Sequence, residues 1–334
     1  MSWLQRLRVD TFLLVLVAVV IIASLFPCEG NTKLFFEYLT TAAIALLFFM
    51  HGAKLSREAI IAGMGHWRLH LVVFLSTFAL FPLLGLAMKA LVPVGILTPT
   101  VYLGFLYLCA LPATVQSAIA FTSVAGGNVA AAVCSASASS LLGIFVSPLL
   151  VGLLMNMHGA EGNLEQVGKI CLQLLLPFVL GHLSRPWIGA FVAKHKKWIG
   201  KTDQSSILLV VYTAFSEAVV NGIWHRVGAG SLLFIVVVSI VLLTIVIAVN
   251  VFVARKCGFN KADEITIVFC GSKKSLANGI PMANILFPTS VIGMMVLPLM
   301  IFHQIQLMVC AVLARRYKAQ TEKLAQEETR AAKV

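Results

Sequence analysis

Two adjacent lysines inside an apolar stretch are the residues of this sequence best suited to chemistry. Lys273 and Lys274 lie in the segment FCGSKKSLANGIP, residues 269–281, within an apolar block from about 264 to 286. A third charged side chain, Glu217, lies inside another apolar block. A charged side chain at the centre of a membrane helix costs about 2.5 to 3.5 kcal/mol on insertion scales, so it needs a partner, water or a function.

The three charges predict an ion pair and one remaining cation. Neighbouring positions on a helix point about 100° apart, so one carboxylate can hardly neutralise both lysines. We expect Glu217 to pair with Lys273 or Lys274, and the other lysine to face a cavity, where it could hold an anionic substrate or exchange a proton. The alternative is a static ion pair, with the second lysine extending to the membrane interface.

Hydroxyl, amide and imidazole groups supply a second set of candidates. Oxygen ligands for a sodium ion are offered by Thr114, Gln116, Ser117 and Ser135. The rest of the candidate substrate or ion site comprises Ser139, Ser272, Ser275, Asn278 and His303. Small serines also allow helices to pack closely, and a histidine within a span can form an interhelical hydrogen bond instead of a proton relay. Both alternatives stay open from sequence alone.

The elements that position these residues are membrane helices. Of 334 residues, 60% are hydrophobic and 11% charged, whereas soluble domains carry about 25% charged residues. Ten apolar blocks have the length of a membrane-spanning helix; they cover about 11–27, 37–53, 68–91, 98–121, 129–154, 167–184, 206–224, 230–254, 264–286 and 291–314. We therefore predict an all-α polytopic membrane protein with ten transmembrane helices and a single membrane domain over 1–334. The cytoplasmic tail from 315 to 334 is predicted to form a frayed polar helix.

The distribution of charge predicts the orientation of these spans. Of the 25 Lys and Arg, 19 lie in or beside alternate loops and the termini, four in or beside the other loops, and two inside the ninth span. The positive-inside rule then places both termini in the cytoplasm. Four lysines between spans six and seven are expected to contact anionic membrane lipid: Lys194, Lys196, Lys197 and Lys201. A basic groove interleaved with aromatic residues is missing, which argues against nucleic acid.

Two halves of five spans each predict an internal repeat. An odd number of spans makes the second copy enter the membrane from the opposite side, so repeat one (about 11–154) and repeat two (about 167–314) are inverted. An offset of 161 residues brings Cys109 onto Cys270 and Ser117 onto Asn278, inside spans four and nine. Both spans are rich in Gly, Pro and polar residues, and broken helices at matching positions are typical of secondary transporters. Alternatively, Gly and Pro only kink or tighten helix packing.

Four segments resemble the bile acid:sodium symporter superfamily, and within it the seventh branch of solute-carrier family ten. They read LPATVQSAIAFT (111–122), AGGNVAAA (125–132), YTAFSE (212–217) and FCGSKKSLANGIPM (269–282). The resemblance implies ten spans in two inverted five-span repeats. It also implies a division into a panel and a core domain, with broken spans four and nine crossing in the core.

The lysines depart from the pattern of this superfamily. Its bile acid symporters carry an acidic residue and a glutamine in span nine as sodium ligands, whereas residues 270–275 read CGSKKS here. An ammonium group repels sodium and can lose its proton when desolvated. We hypothesise that one of the lysines replaces the span-nine sodium. Transport would then be proton-linked or use at most one sodium, held by Thr114, Gln116, Ser117 and Ser135 or Ser139.

The function predicted from sequence is secondary active transport of a small organic anion by alternating access. The expected coupling ion is sodium or a proton, with no other cofactor, and the expected location is a bacterial cytoplasmic membrane. A channel or regulator of ion flux, with the lysines as an anion filter, is the alternative. Motifs of intramembrane enzymes are missing, so we do not expect an enzyme. The chain is expected to be a monomer or homodimer.

Overall fold

The computed structural model describes residues 11–54, 64–93, 95, 98–155, 164–220, 222 and 228–331. Every regular element in these ranges is helical, which confirms the all-α prediction for them. The α-helices are α1 Thr11–Leu25, α2 Gly30–Lys54, α3 Trp67–Leu75, α4 Phe81–Ala87, α5 Pro99–Ala110, α6 Gln116–Val124, α7 Val129–Leu154, α8 Leu164–Lys194, α9 Lys196–Val220, α10 Ala229–Lys256, α11 Lys261–Gly271, α12 Leu276–Leu286 and α13 Thr289–Ala331.

Three short turns of other helical types flank α3 and α4. They are the 3₁₀ turns Met64–His66 and Met88–Leu91 and a π-helical turn, Ser76–Leu80, that joins α3 to α4. Because these pieces follow one another without interruption, residues 67–91 form one apolar span. Each of the ten apolar blocks predicted from sequence overlaps at least one helix.

By length and composition, five helical stretches of the described chain could cross a membrane. They are Gly30–Met50, Trp67–Leu91, Val129–Leu154, Gly230–Lys256 and Thr289–Thr321, and shorter apolar helices cover Leu14–Leu25, Pro99–Ala110 and Gln204–Val220. Large apolar side chains point outward: Phe26 is 71% exposed and Leu153 74% exposed. Apolar surface on this scale is what a bilayer would cover.

Helices α2, α8 and α9 pack against one another, and α1 packs against α9. The tightest approach is between α2 and α8, where a Cβ atom added at Gly52 would collide with the backbone carbonyl of Phe178, and one added at Gly181 with that of Phe49. Glycine at both positions lets the two backbones meet, as small residues do in membrane helix pairs.

Helices α3 to α7 and α10 to α13 surround the breaks between α5 and α6 and between α11 and α12. The largest apolar core runs through this group, with the ring centroids of Phe81 and Phe302 6.1 Å apart. The buried hydroxyl of Tyr107 on α5 donates to the Gly279 carbonyl on α12 at 2.6 Å. Helix α9 packs on α12 and α13 and thereby joins the two groups.

The C-terminal segment is helical, as predicted, but its first turns after Arg316 are packed against the protein and are not frayed. Helix α13 continues without interruption to Ala331. The hydroxyl of Tyr317, which is 5% exposed, donates to Glu264 Oε1 at 3.0 Å, and Thr321 lies against Gly126. These contacts hold the first turns of the tail on the ends of α6 and α11, which corrects the sequence-based expectation.

Candidate functional site

Both predicted breaks are present. Helix α5 ends at Ala110 and α6 begins at Gln116, and Leu111 between them is extended, with φ −75° and ψ 155°. Helix α11 ends at Gly271 and α12 begins at Leu276, after a Ser275 with φ −84° and ψ 110°. The breaks lie where Pro112 and the Gly-Ser-Lys-Lys segment interrupt the apolar pattern.

The two breaks contact each other directly. The Ser275 N–H donates to the Pro112 carbonyl at 2.9 Å, and the Ala113 N–H donates to Ser139 Oγ of α7 at 3.1 Å. The Ser275 side chain also accepts from the Asn278 N–H and begins α12. Backbone groups freed by a break in lipid must be satisfied inside the protein, and these bonds satisfy several of them.

Lys274 places its ammonium group on three backbone carbonyls. Its Nζ donates to Thr77 O at 2.8 Å, Cys109 O at 2.9 Å and Leu111 O at 2.6 Å, so all three N–H donors of the ammonium are paired. The side chain is fully buried, with Nζ 4.2 Å from the Phe81 ring centroid. Because the Cys109 and Leu111 carbonyls lie at the C-terminal end of α5, the helix dipole also favours a cation there.

Gln306 of α13 holds the peptide groups of Lys274. The Lys274 N–H donates to Gln306 Oε1 at 2.9 Å, and Gln306 Nε2 donates to the Lys274 carbonyl at 2.9 Å. Gln306 Nε2 also lies 2.8 Å from His303 Nδ1. His303 was predicted as a site residue and the fully buried Gln306 was not, although a polar residue in an apolar block is a usable signal.

Lys273 has a different environment. Its Nζ donates to a single carbonyl, that of Ser117 at 2.9 Å, and lies 3.9 Å from the ring centroid of Phe121 and 5.7 Å from that of Phe269. The side chain is fully buried. Aromatic faces attract a desolvated cation, so ring faces take the place of two of the carbonyls that Lys274 has.

The predicted ion pair between Glu217 and Lys273 or Lys274 is wrong. Glu217 Oε2 lies 2.6 Å from Lys33 Nζ, because the end of α9 lies beside the start of α2. The prediction that one lysine faces a cavity is also wrong, since both side chains are fully buried. In the described part of the chain, carbonyl dipoles and aromatic rings stabilise the two ammonium groups in place of a carboxylate.

Five of the other nine predicted residues lie together where the two breaks cross, and Ser272 and Gln116 lie aside. Of the remaining two, His303 contacts Gln306 and Ser135 contacts His70. Thr114 and Ser117 share a hydrogen bond of 2.8 Å between their hydroxyls, and Asn278 Nδ2 donates to Ser140 Oγ at 2.9 Å. With Ser139 and Ser275, described above, these form the crossing. Ser272 donates to the carbonyl one turn earlier in α11, and Gln116 is exposed at the start of α6.

The hydroxyls fit the proposed sodium ligands only in part. The oxygens of Thr114 and Ser117 are adjacent, as a cation would require, whereas Ser135 Oγ lies 2.6 Å from His70 Nδ1. Among the residues that the structure describes, no group of three or more His, Cys, Asp or Glu could hold a metal ion. The four-residue sodium site therefore stays a prediction.

Polar residues at the start of α11 were missed by the sequence analysis. Asn128, which caps α7, donates through Nδ2 to Asp263 Oδ1 at 2.9 Å. The Glu264 carboxylate, 4% exposed, forms ion pairs with Arg255 Nε at 3.0 Å and Lys261 Nζ at 2.8 Å. Asparagine before an apolar run and acidic residues in a first turn are signals of a helix start. The contacts of Asn128 and Glu264 connect the loops after α6 and α10 through the start of α11.

The described part of the chain is all helical and has apolar outer faces, and two of its broken helices meet around buried cations. This is the architecture of a membrane transporter. The sequence pattern of the SBF-like CPA transporter family matches residues 10–319, and the chain belongs to this family. The resemblance to bile acid:sodium symporters is thereby confirmed.

Named relatives cover almost the whole chain. The "Putative symporter YfeH" of Escherichia coli (strain K12) is 80% identical over 97% of this chain and 98% of its own length. The "Uncharacterized protein PA2026" of Pseudomonas aeruginosa is 62% identical over 93% and 94%. The "Sodium/bile acid cotransporter 7" of Rattus norvegicus is 28% identical over 96% and 95%. The family is one of transporters and not of enzymes.

Proposed function

We propose that this protein is a secondary active transporter of a small organic anion that works by alternating access in the cytoplasmic membrane. The proposal rests on one observation above the others, the fully buried Lys274 ammonium at the contact of two helix breaks. Breaks at matching positions suit two inverted five-span repeats, with the breaks in spans four and nine and a site near the midplane.

The coupling ion follows from the ligands of Lys274. Three converging carbonyl oxygens are a ligand set for a monovalent cation, and carbonyl rings serve this purpose in selectivity filters. We propose that Lys274 is the lysine that replaces the span-nine sodium, since a free cation beside its ammonium would be repelled. Coupling is then to a proton, or to at most one sodium held near Thr114, Ser117 and Ser139.

The substrate charge follows from the uncompensated lysines. In the described part of the chain Lys273 and Lys274 form no ion pair with a carboxylate, so the crossing has an excess of positive charge. An anion that reaches it in one of the two access states gains from this field. The crossing is closed in this structure, so binding requires the helices around the breaks to separate.

Uptake by proteoliposomes tests the function. Purified protein is reconstituted into vesicles under an inward sodium gradient, an inward proton gradient or neither. Uptake of radiolabelled taurocholate and of a series of small radiolabelled carboxylates is measured, and currents are recorded in parallel. Saturable uptake of an anion, driven by protons or by one sodium per cycle, is expected. Uptake that requires two sodium ions contradicts the proposed coupling, and conductance without saturation favours the channel alternative.

A further inference from the structure

The three carbonyl oxygens around Lys274 Nζ form a cage that another cation could occupy in place of the ammonium. Thr77 O, Cys109 O and Leu111 O converge on one point from two spans, at 2.8, 2.9 and 2.6 Å from Nζ. We propose that these three carbonyls are a binding site for a free monovalent cation, which the Lys274 ammonium fills as a tethered occupant. The ligand class is a singly charged cation of ammonium or potassium size.

Two prolines leave the carbonyls of Thr77 and Cys109 without helical partners. In the π-helical turn, the Phe81 N–H donates to Ser76 O, and the next residue is Pro82, which has no N–H. The Thr77 carbonyl thus has neither an α-helical nor a π-helical donor.

The same holds at the end of α5. The residue three positions after Cys109 is Pro112, which has no N–H to donate to the Cys109 carbonyl. The residue four positions after it is Ala113, whose N–H donates to Ser139 Oγ instead of to the Cys109 carbonyl. Leu111 O lies in the break, before the next helix begins at Gln116. The cage is therefore built by the backbone and its prolines and does not depend on the lysine for its shape.

Only a cation suits this cage. Three acceptors face one point, whereas a water molecule can donate only two hydrogen bonds. The negative end of the α5 dipole and the face of the Phe81 ring, 4.2 Å from Nζ, both favour positive charge. A buried carbonyl left without a partner costs free energy, so removal of the ammonium creates a demand for a replacement.

Lys273 provides the matched control. Its ammonium has one carbonyl acceptor, and this carbonyl belongs to Ser117 in the first turn of α6. The Phe121 and Phe269 rings and the Cys270 and Cys310 thiols also lie near this ammonium. In the described part of the chain, removal of this lysine frees one backbone carbonyl instead of three that converge, so we expect no cage for ammonium or potassium there.

The inference deepens the proposed function, which assigns Lys274 the place of a coupling cation, but its test needs no transport. Lys274→Ala, Lys274→Met and Lys273→Ala are purified in detergent, and the Tm is measured in chloride salts of sodium, potassium, ammonium, methylammonium and N-methylglucamine at equal ionic strength. We expect the Tm of Lys274→Ala to be about 3 °C higher in ammonium, methylammonium or potassium than in N-methylglucamine, and this gain should saturate as the cation concentration rises. Lys274→Met, which fills the cage with an apolar chain, and Lys273→Ala should show no such gain.

Three outcomes would overturn the inference. They are an equal response of Lys274→Ala and Lys274→Met, an equal response of Lys273→Ala, and a Lys274→Ala protein that does not fold in any of the cations, since a cage that binds free cations would support folding in at least one. Lys274→Gln, whose amide can donate to two of the carbonyls, serves as a second variant and should fold without a cation response. Failure of this test leaves uptake by the wild-type protein to be judged by its own experiment.

Discussion

At the residue scale, the protein stabilises two buried ammonium groups without neutralising them. A carboxylate partner would remove the net charge, whereas carbonyl dipoles and ring faces stabilise a cation and leave its charge in place. This explains why Lys274 needs a fixed backbone on every side. Gln306 provides part of this rigidity, because its amide bonds both peptide groups of Lys274.

Replacement of Gln306 tests this role. Gln306→Leu leaves the Lys274 N–H without its partner and leaves the Lys274 carbonyl with the 3.4 Å contact to His303 Nδ1. Each buried unsatisfied group costs about 1 to 3 kcal/mol. We expect a marked fall in Tm. Gln304→Leu is the control, because Gln304 Oε1 on the same helix is buried and has no hydrogen-bond partner among the described residues, so this change should be neutral or stabilising. Equal losses in the two variants would contradict a specific role for Gln306.

At the element scale, the sequence predicted the helix breaks but not their contacts. Gly, Pro and polar residues inside apolar blocks mark a break locally, so spans four and nine could be located. The partner of Glu217 depends on α9 lying beside the start of α2, which no local pattern encodes. Nor does a motif reveal that Pro82 frees the Thr77 carbonyl, because a single proline usually predicts only a kink.

The close pair of α2 and α8 gives a prediction at this scale. In Gly181→Ala the new Cβ would collide with the Phe49 carbonyl, and backbone cannot give way as a flexible side chain can. The helices must separate, and we expect clearly lower thermal stability. Gly152→Ala on α7 is the matched control, because no atom of the described residues lies within 4 Å of its Cβ position, and alanine favours a helix by about 1 kcal/mol. A similar Tm for the two variants would show that the contact tolerates separation.

At the scale of the whole molecule, the asymmetry of charge predicts the orientation. With 19 basic residues in or beside one set of loops and four in or beside the other, we expect a reporter fused at residue 160 to be periplasmic and one fused at residue 320 to be cytoplasmic. Alkaline phosphatase and green fluorescent protein fusions report these sides. If both positions lie on the same side, the number of spans is other than ten.

The tethered cation also bears on the electrical behaviour of the proposed cycle. In a sodium symporter, the sodium ion crosses the membrane with the substrate and is released on the other side, so the carrier returns without that charge. The Lys274 side chain is part of the protein, so its charge returns with the carrier for as long as the ammonium keeps its proton. If the crossing moves through the membrane field, at about 2.3 kcal/mol per charge per 100 mV, the voltage acts on the return of the empty carrier in its protonated form. An anion that binds beside this charge offsets it, and the loaded carrier then moves almost without regard to the membrane potential.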